Sequence, residues 1–183
     1  MNSLRRAIRR TVSPTRAWSY RCVGRDEDAL AAFRRAFALS QRMVGIRSRI
    51  GSTLLSLGRL DEALAEAEKE PTETLKLLTV ATIRHAMGDK AGLDAALAKT
   101  IEKYEVECAY DIARVLAYRG AADRAFEWLE KAIQFKDPGL AGIAREQDFD
   151  RIGKGRGWLP FLRKIGAAPK QLAAIKFDVR LPG

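Results

Sequence analysis

The sequence predicts an all-α fold, an α/α superhelix of about four helix pairs closed by a C-terminal helical cap. The chain is rich in Ala, Leu, Arg and Glu and poor in β-branched runs, a composition that favours helix. Glycines also recur at intervals of 34, 30 and 32 residues, each between two stretches with helical periodicity. Because 47% of the residues are apolar, the chain can bury a core, and we expect a folded protein rather than a disordered one.

The repeat is defined by positions at fixed distances from these glycines. A small residue lies seven positions before each glycine, and mostly small or apolar residues lie five, nine and twelve positions after it. Small residues let two helices approach closely, and glycine permits the left-handed backbone that ends a helix. Each unit is therefore predicted to be a pair of helices joined at its glycine. The glycines are Gly24, Gly58, Gly88 and Gly120, and the small residues before them are Ala17, Gly51, Ala81 and Ala113.

Three segments carry a family resemblance: GRDEDALAAFRRAFAL, IGSTLLSLGRLDEALAEAEKEP and IARVLAYRGAADRAFEWLEKAIQFKDP. They resemble the tetratricopeptide repeat, over residues 13–138. The first unit contains Pro14 and lacks the usual large residues in its first helix, and the third has Arg84 where a large apolar residue is expected. The part from Gly88 onward resembles the C-terminal repeats of bacterial regulators such as class III adenylate cyclases. That resemblance implies a sensing or docking module.

The repeat pattern does not extend to the segments on either side of it. Residues 1–12 are expected to form a basic N-terminal arm or helix, and residues 139–183 a capping segment. The terminal repeat of a solenoid leaves an apolar face that needs a cover. Apolar residues with helical spacing near the C-terminus are predicted to cover the open end of the fourth pair. They are Trp158, Phe161, Leu162 and Ile165.

The resemblance places a partner-binding groove on the concave face, which the first helices of the pairs line. The predicted partner-binding residues are Ser48, Ser52, Leu78, Thr82, His85, Tyr110, Arg114 and Tyr118. Such a face suits an extended peptide or a helix. The alternative for Tyr110 and Tyr118 is that both rings pack against the second helix of their own pair.

Catalytic and metal-binding patterns are absent from the sequence. His85 is the only histidine, and Cys22 and Cys108 are far apart without a CxxC. The GKGRG run at residues 153–157 lacks the order of a phosphate-binding P-loop and is expected to be a turn. We therefore predict no enzyme activity, no cofactor and no metal site.

Positive charge is concentrated at the N-terminus. Residues 1–25 contain seven Arg and no acid, out of a formal net charge of +10. No apolar stretch is long enough for a membrane span, and two separated cysteines favour reduced thiols. The expected location is the cytoplasm, with no membrane partner.

These observations favour a non-catalytic scaffold that binds a protein or peptide. Two alternatives remain open. The Arg-rich arm could bind nucleic acid through its phosphates, or the chain could be a regulatory fragment that acts on a separate enzyme chain. The identity of the partner and the oligomeric state do not follow from the sequence.

Overall fold

The computed structural model describes residues 24–174, except for the side chain of Arg145. Its regular elements are all helical, with no strand among the described residues. The predicted all-α fold is confirmed. The predicted N-terminal arm and the first helix of the first pair lie outside the described residues.

Two compact units divide the chain, Met1–Tyr104 and Glu105–Gly183. In the first unit the helices are α1 (Asp26–Leu39), α2 (Ile46–Ser56), α3 (Leu60–Ala67), α4 (Glu73–Ala86) and α5 (Lys90–Tyr104). Helices α2 and α3 form one pair and α4 and α5 the next, while α1 packs on α2 and α2 lies beside α4. This stacking of consecutive pairs, with their first helices as neighbours, is the packing of a tetratricopeptide-like solenoid.

The second unit consists of one helix pair and a set of short helices. The pair is α6 (Ala109–Tyr118) and α7 (Ala122–Gln134). Two 3₁₀ helices follow, Pro138–Arg145 and Gln147–Phe149, and then α8 (Asp150–Gly153), α9 (Trp158–Lys164) and α10 (Pro169–Ala173). The 3₁₀ helices and α8 pack on α6.

The repeat glycines make the turns that the sequence predicts. Gly58, Gly88 and Gly120 have φ of 72°, 78° and 81°, a conformation that costs glycine little because it has no Cβ. The residue after each glycine donates its amide to a carbonyl five residues back, at 2.9 Å in all three turns. These bonds satisfy carbonyls that the end of a helix leaves open.

The predicted register also matches the observed core. All the described positions five, nine and twelve residues after a repeat glycine are buried. They are Ala29, Phe33, Ala36, Ala63, Ala67, Glu70, Leu93, Leu97, Thr100, Ala125, Leu129 and Ala132. Gly51 lies where α2 meets α3, and a Cβ there would be 3.1 Å from the carbonyl oxygen of Ala63. The small residue is needed because the two backbones come so close.

Arg84 replaces the large apolar residue that a repeat of this type usually has. Its guanidinium pairs with the carboxylate of Asp89 and lies 3.8 Å from that of Glu68. A Cβ at Gly92 would be 2.4 Å from the Arg84 side chain, so the glycine leaves room for it. At this position the third pair therefore has an ion pair between Arg84 and Asp89 in place of apolar packing, and Gly92 makes room for the arginine.

Candidate partner-binding surface

The predicted residues of the first unit lie on two neighbouring helices. Ser48 and Ser52 are four residues apart on α2, and Leu78, Thr82 and His85 follow one another at helical spacing on α4. Because α2 and α4 are adjacent, the structure brings these two rows into one region of the first unit.

Ser48 and Leu78 are buried, with 7% and 3% of their surface exposed. The backbone amide of Ser48 donates to the carboxylate of Glu70 at 3.3 Å, and that carboxylate also accepts from the amide of Gly45 at 3.4 Å. Glu70 itself is fully buried. The start of α2 is therefore packed inside the fold. Ser52, Thr82 and His85 are the members of the two rows that remain partly exposed.

Ser52, Thr82 and His85 are half-buried. The hydroxyl of Thr82 donates to the carbonyl of Leu78 at 2.9 Å, so its oxygen can still accept a hydrogen bond. We name these three residues the α2–α4 surface. Its mixture of a hydroxyl pair and an imidazole can both donate and accept hydrogen bonds.

The corresponding face of α6 in the second unit is covered by part of residues 138–174, which we name the C-terminal segment. The ring of Tyr110 packs on Phe149 with 5.7 Å between centroids. Arg114 forms an ion pair of 2.9 Å with Asp148, and the guanidinium of Arg151 lies 5.2 Å from the ring centre of Tyr118. Aromatic, charged and cation–π contacts on this face are thus all made within the chain.

The predicted exposure of Tyr110 is wrong, since only 7% of its surface is open. Ile143, Phe149 and Ile152 of the C-terminal segment are almost completely buried, and α6 supplies the apolar surface that buries them. Gly139 also lies against the ring, since a Cβ there would be 2.3 Å from it. Burial raises the pKa of the Tyr110 hydroxyl, and the carboxylate of Glu146 adds to the rise.

Arg114 and Tyr118 are half-buried under the same cover. The predicted cap residues contribute farther along the segment, where Phe161 packs on Phe126 of α7 with 6.2 Å between ring centroids. Trp158 stacks between Phe149 and Phe161 at 5.3 and 6.3 Å. The C-terminal segment therefore packs on both helices of the fourth pair.

Sequence reasoning missed the role of two acidic residues that stand directly before a proline. Glu70, before Pro71, accepts from the start of α2, and Asp137, before Pro138, accepts from the amide of Tyr110 at 3.0 Å, near the start of α6. In each pair the acid follows the second helix and holds the first. The acid–proline dipeptide after a second helix is the signal that could have found them.

The described part of the chain contains little that is reactive. Burial raises the pKa of the Cys108 thiol to about 11, helped by the neighbouring Asp111, so the thiol is protonated at neutral pH. The described side chains include no group of three His, Cys, Asp or Glu placed to hold a metal ion. Across residues 24–174 we also find no helix with the length and apolar character needed to cross a bilayer.

Comparison with known proteins bears on the repeat. The tetratricopeptide repeat family model matches residues 16–49, which include α1 and the beginning of α2. This match supports a tetratricopeptide repeat within that stretch. The matched stretch begins after Pro14 and includes Gly24, the turn glycine of the first predicted repeat. A crystal structure of MamA protein is similar at 18% identity with a TM-score of 0.45, covering 100% of both chains. No curated protein matches.

Proposed function

We propose that this protein is a non-catalytic interaction module that binds a peptide or a helix of a protein partner on its α2–α4 surface. The observation that carries the proposal is the contrast between the two units. Ser52, Thr82 and His85 of the first unit and Arg114 and Tyr118 of α6 are all half-buried. On α6, however, Asp148 and Arg151 of the C-terminal segment contact Arg114 and Tyr118. Concave first-helix faces are the usual binding surfaces of helical repeats.

The surface fits an uncharged, hydrogen-bonding stretch of the partner. Ser52 and Thr82 offer hydroxyls that pair with backbone groups of an extended chain, and His85 adds a ring with one donor and one acceptor when neutral. Leu78, one turn before Thr82 on α4, is buried and apolar. Of the other predicted residues, Ser48 and Leu78 are buried in the first unit, whereas Tyr110, Arg114 and Tyr118 contact the C-terminal segment.

Two narrower statements belong to the same proposal. The resemblance to the C-terminal repeats of bacterial regulators favours a docking role toward a separate enzyme chain. A cytoplasmic location is supported by the buried free thiol of Cys108, since structural cysteines of oxidising compartments are usually paired.

A peptide library displayed against the immobilised protein supplies ligands for the test. Affinity of a selected peptide is then measured by titration for the wild type and for the double variant Ser52→Arg, Thr82→Arg. The control is Ala95→Arg, Ala98→Arg, which adds the same two side chains at exposed positions of α5. We expect affinity to fall at least about tenfold in the first variant, which is a loss of about 1.4 kcal/mol, because the two arginines would block the surface. Equal affinity in all three proteins would contradict the proposal.

A further inference from the structure

The C-terminal segment carries a second concentration of positive charge, separate from the N-terminal arginines. Residues 151–170 contain six Lys and Arg and no acid. Two of these cations are engaged within the protein: Lys164 pairs with Glu130, and Arg151 lies over the ring of Tyr118. The packing of the second unit therefore uses only part of this charge.

The other four cations are exposed and form no ion pair with any described residue. They are Lys154, Arg156, Arg163 and Lys170, which we name the basic patch. Cations that are close together in the chain repel one another, and a bound anion would relieve that repulsion. The patch is thus a strongly charged surface that the fold itself does not explain.

The four cations lie at and beyond the two ends of α9, whose seven residues span about 10 Å. Lys154 and Arg156 alternate with the glycines of the tight turn between α8 and α9, in which the amide of Gly155 donates to the carbonyl of Ile152 at 2.9 Å. At the other end of α9, the side-chain amide of Gln171 donates to the carbonyl of Arg163 at 3.2 Å. This bond ties the first turn of α10, which includes Lys170, to the end of α9.

The chemistry of the patch favours a phosphate backbone over a lipid surface or a base-stacking platform. Membrane-surface segments insert large apolar and aromatic side chains. Leu159 and Leu172 are exposed near the patch, but none of the rings in residues 150–174 is exposed. Stacking of single-stranded bases also needs an open aromatic ring, and Trp158 is already stacked on Phe149 and Phe161. The exposed glycines of the turn let phosphates approach the cations without a steric barrier.

We propose that the basic patch binds the phosphodiester backbone of double-stranded nucleic acid, without reading its sequence. Lys154, Arg156, Arg163 and Lys170 each contact a phosphate, and counterions released from the duplex drive the binding. The site lies in the second unit and uses none of the residues of the α2–α4 surface, so it is independent of the proposed peptide binding.

Fluorescence anisotropy with a labelled DNA duplex of mixed sequence tests the patch in the full chain. The variant is Lys154→Gln, Arg156→Gln. The control is Lys99→Gln, Lys103→Gln, which removes the same net charge from α5, where both amines contact Glu73. Salt is varied between 50 and 200 mM, and binding of vesicles of phosphatidylserine and phosphatidylcholine is measured in parallel.

Wild type should bind the duplex with an affinity that falls steeply with salt. The patch variant should bind about tenfold or more weakly at low salt and should show a salt slope smaller by about two, one for each lost phosphate contact. The control, and the variant Ser52→Arg, Thr82→Arg, should keep the wild-type slope. Thermal unfolding of the patch variant should match that of the wild type.

Three results would overturn the proposal. One is an absence of duplex binding by the wild type at 50 mM salt. Another is an equal loss in patch variant and control, which would mean that net charge or the N-terminal arginines carry the binding. The third is duplex binding unchanged in the patch variant while its vesicle binding is lost, which would assign the patch to a lipid surface.

Discussion

Glu70 shows how a single charged side chain can hold two helices together inside a repeat. Its carboxylate is fully buried and accepts hydrogen bonds from the amides of Gly45, Ser48 and Thr72. The first two amides belong to the start of α2, where open N–H groups and the helix dipole favour negative charge. A buried acid is thus tolerated because the end of a helix solvates it.

Replacement of Glu70 by Ala should destabilise the protein by about 2–4 kcal/mol, because several buried amides would lose their acceptor. Chemical denaturation measures the change in free energy of unfolding. Glu102→Ala, at an exposed position of α5, is the control and should change stability by less than about 0.5 kcal/mol. Equal stabilities of the two variants would show that Glu70 is not the acceptor that holds α2.

Another acid, Glu73, links the start of α4 to the end of α5. It accepts from Tyr104 at 2.8 Å and contacts Lys99 and Lys103 at 3.1 and 3.2 Å. These partners, the Tyr104 hydroxyl first, lower the pKa of Glu73 from 4.5 to about 2. A depressed folded-state pKa stabilises the protein above pH 4.5, and this contribution disappears as the pH falls toward 2.

A Glu73→Gln variant should therefore be less stable than the wild type at neutral pH, and the difference should shrink between pH 4.5 and 2. Thermal unfolding followed by circular dichroism over this range provides the measurement. A stability difference that stays constant with pH would mean that the contacts of Glu73 do not depend on its charge.

At the scale of elements, the approach of α2 and α3 at Gly51 decides the geometry of the second pair. Gly51→Leu places a side chain where even a Cβ would be 3.1 Å from the carbonyl oxygen of Ala63 and 3.4 Å from the Cβ of Ala67. Overpacking of this kind costs about 1–3 kcal/mol. The melting temperature should fall clearly, whereas Ser56→Leu, at an exposed position of the same helix, should leave it nearly unchanged. A variant as stable as the wild type would contradict the observed packing.

The helix pairs could be predicted from the sequence because their packing is periodic. Turn glycines and buried positions recur at fixed offsets, so a local pattern reports a local contact. The cover on α6 could not be predicted in this way. Residues 138–149 form 3₁₀ turns without sustained periodicity, and the pairing of Arg114 with Asp148 joins residues far apart in the chain. The spacing of Tyr110, Arg114 and Tyr118 predicts that all three lie on one side of α6, but the sequence does not indicate what covers that side.

At the scale of the molecule, the two units differ in how their helix pairs are packed. The first unit stacks its pairs and keeps a first-helix surface partly open, and the second closes its own pair with residues of the C-terminal segment. Phe149 is central to that closure, since it is 1% exposed and contacts both Tyr110 and Trp158.

Phe149→Ala should cost about 3–5 kcal/mol of stability in the second unit, because a large ring is lost from a packed interior. Near-ultraviolet circular dichroism should lose the signal of the stacked rings. Phe135→Ala removes the same ring from a position that is 36% exposed and should have a much smaller effect. If the two variants unfold alike, the C-terminal segment is not a packed cover of α6.

The central claim is that a partner binds the first unit on the α2–α4 surface and not the covered face of α6. His85 is the only histidine of the chain, so the proton on its ring Cε1 gives a single, assignable signal in a nuclear magnetic resonance spectrum. Titration with a library-selected peptide should shift this signal in proportion to occupancy, while a scrambled peptide should leave it in place and the ring signals of Tyr110 should not move. A bound peptide that shifts the Tyr110 signals and leaves His85 unchanged would contradict the account.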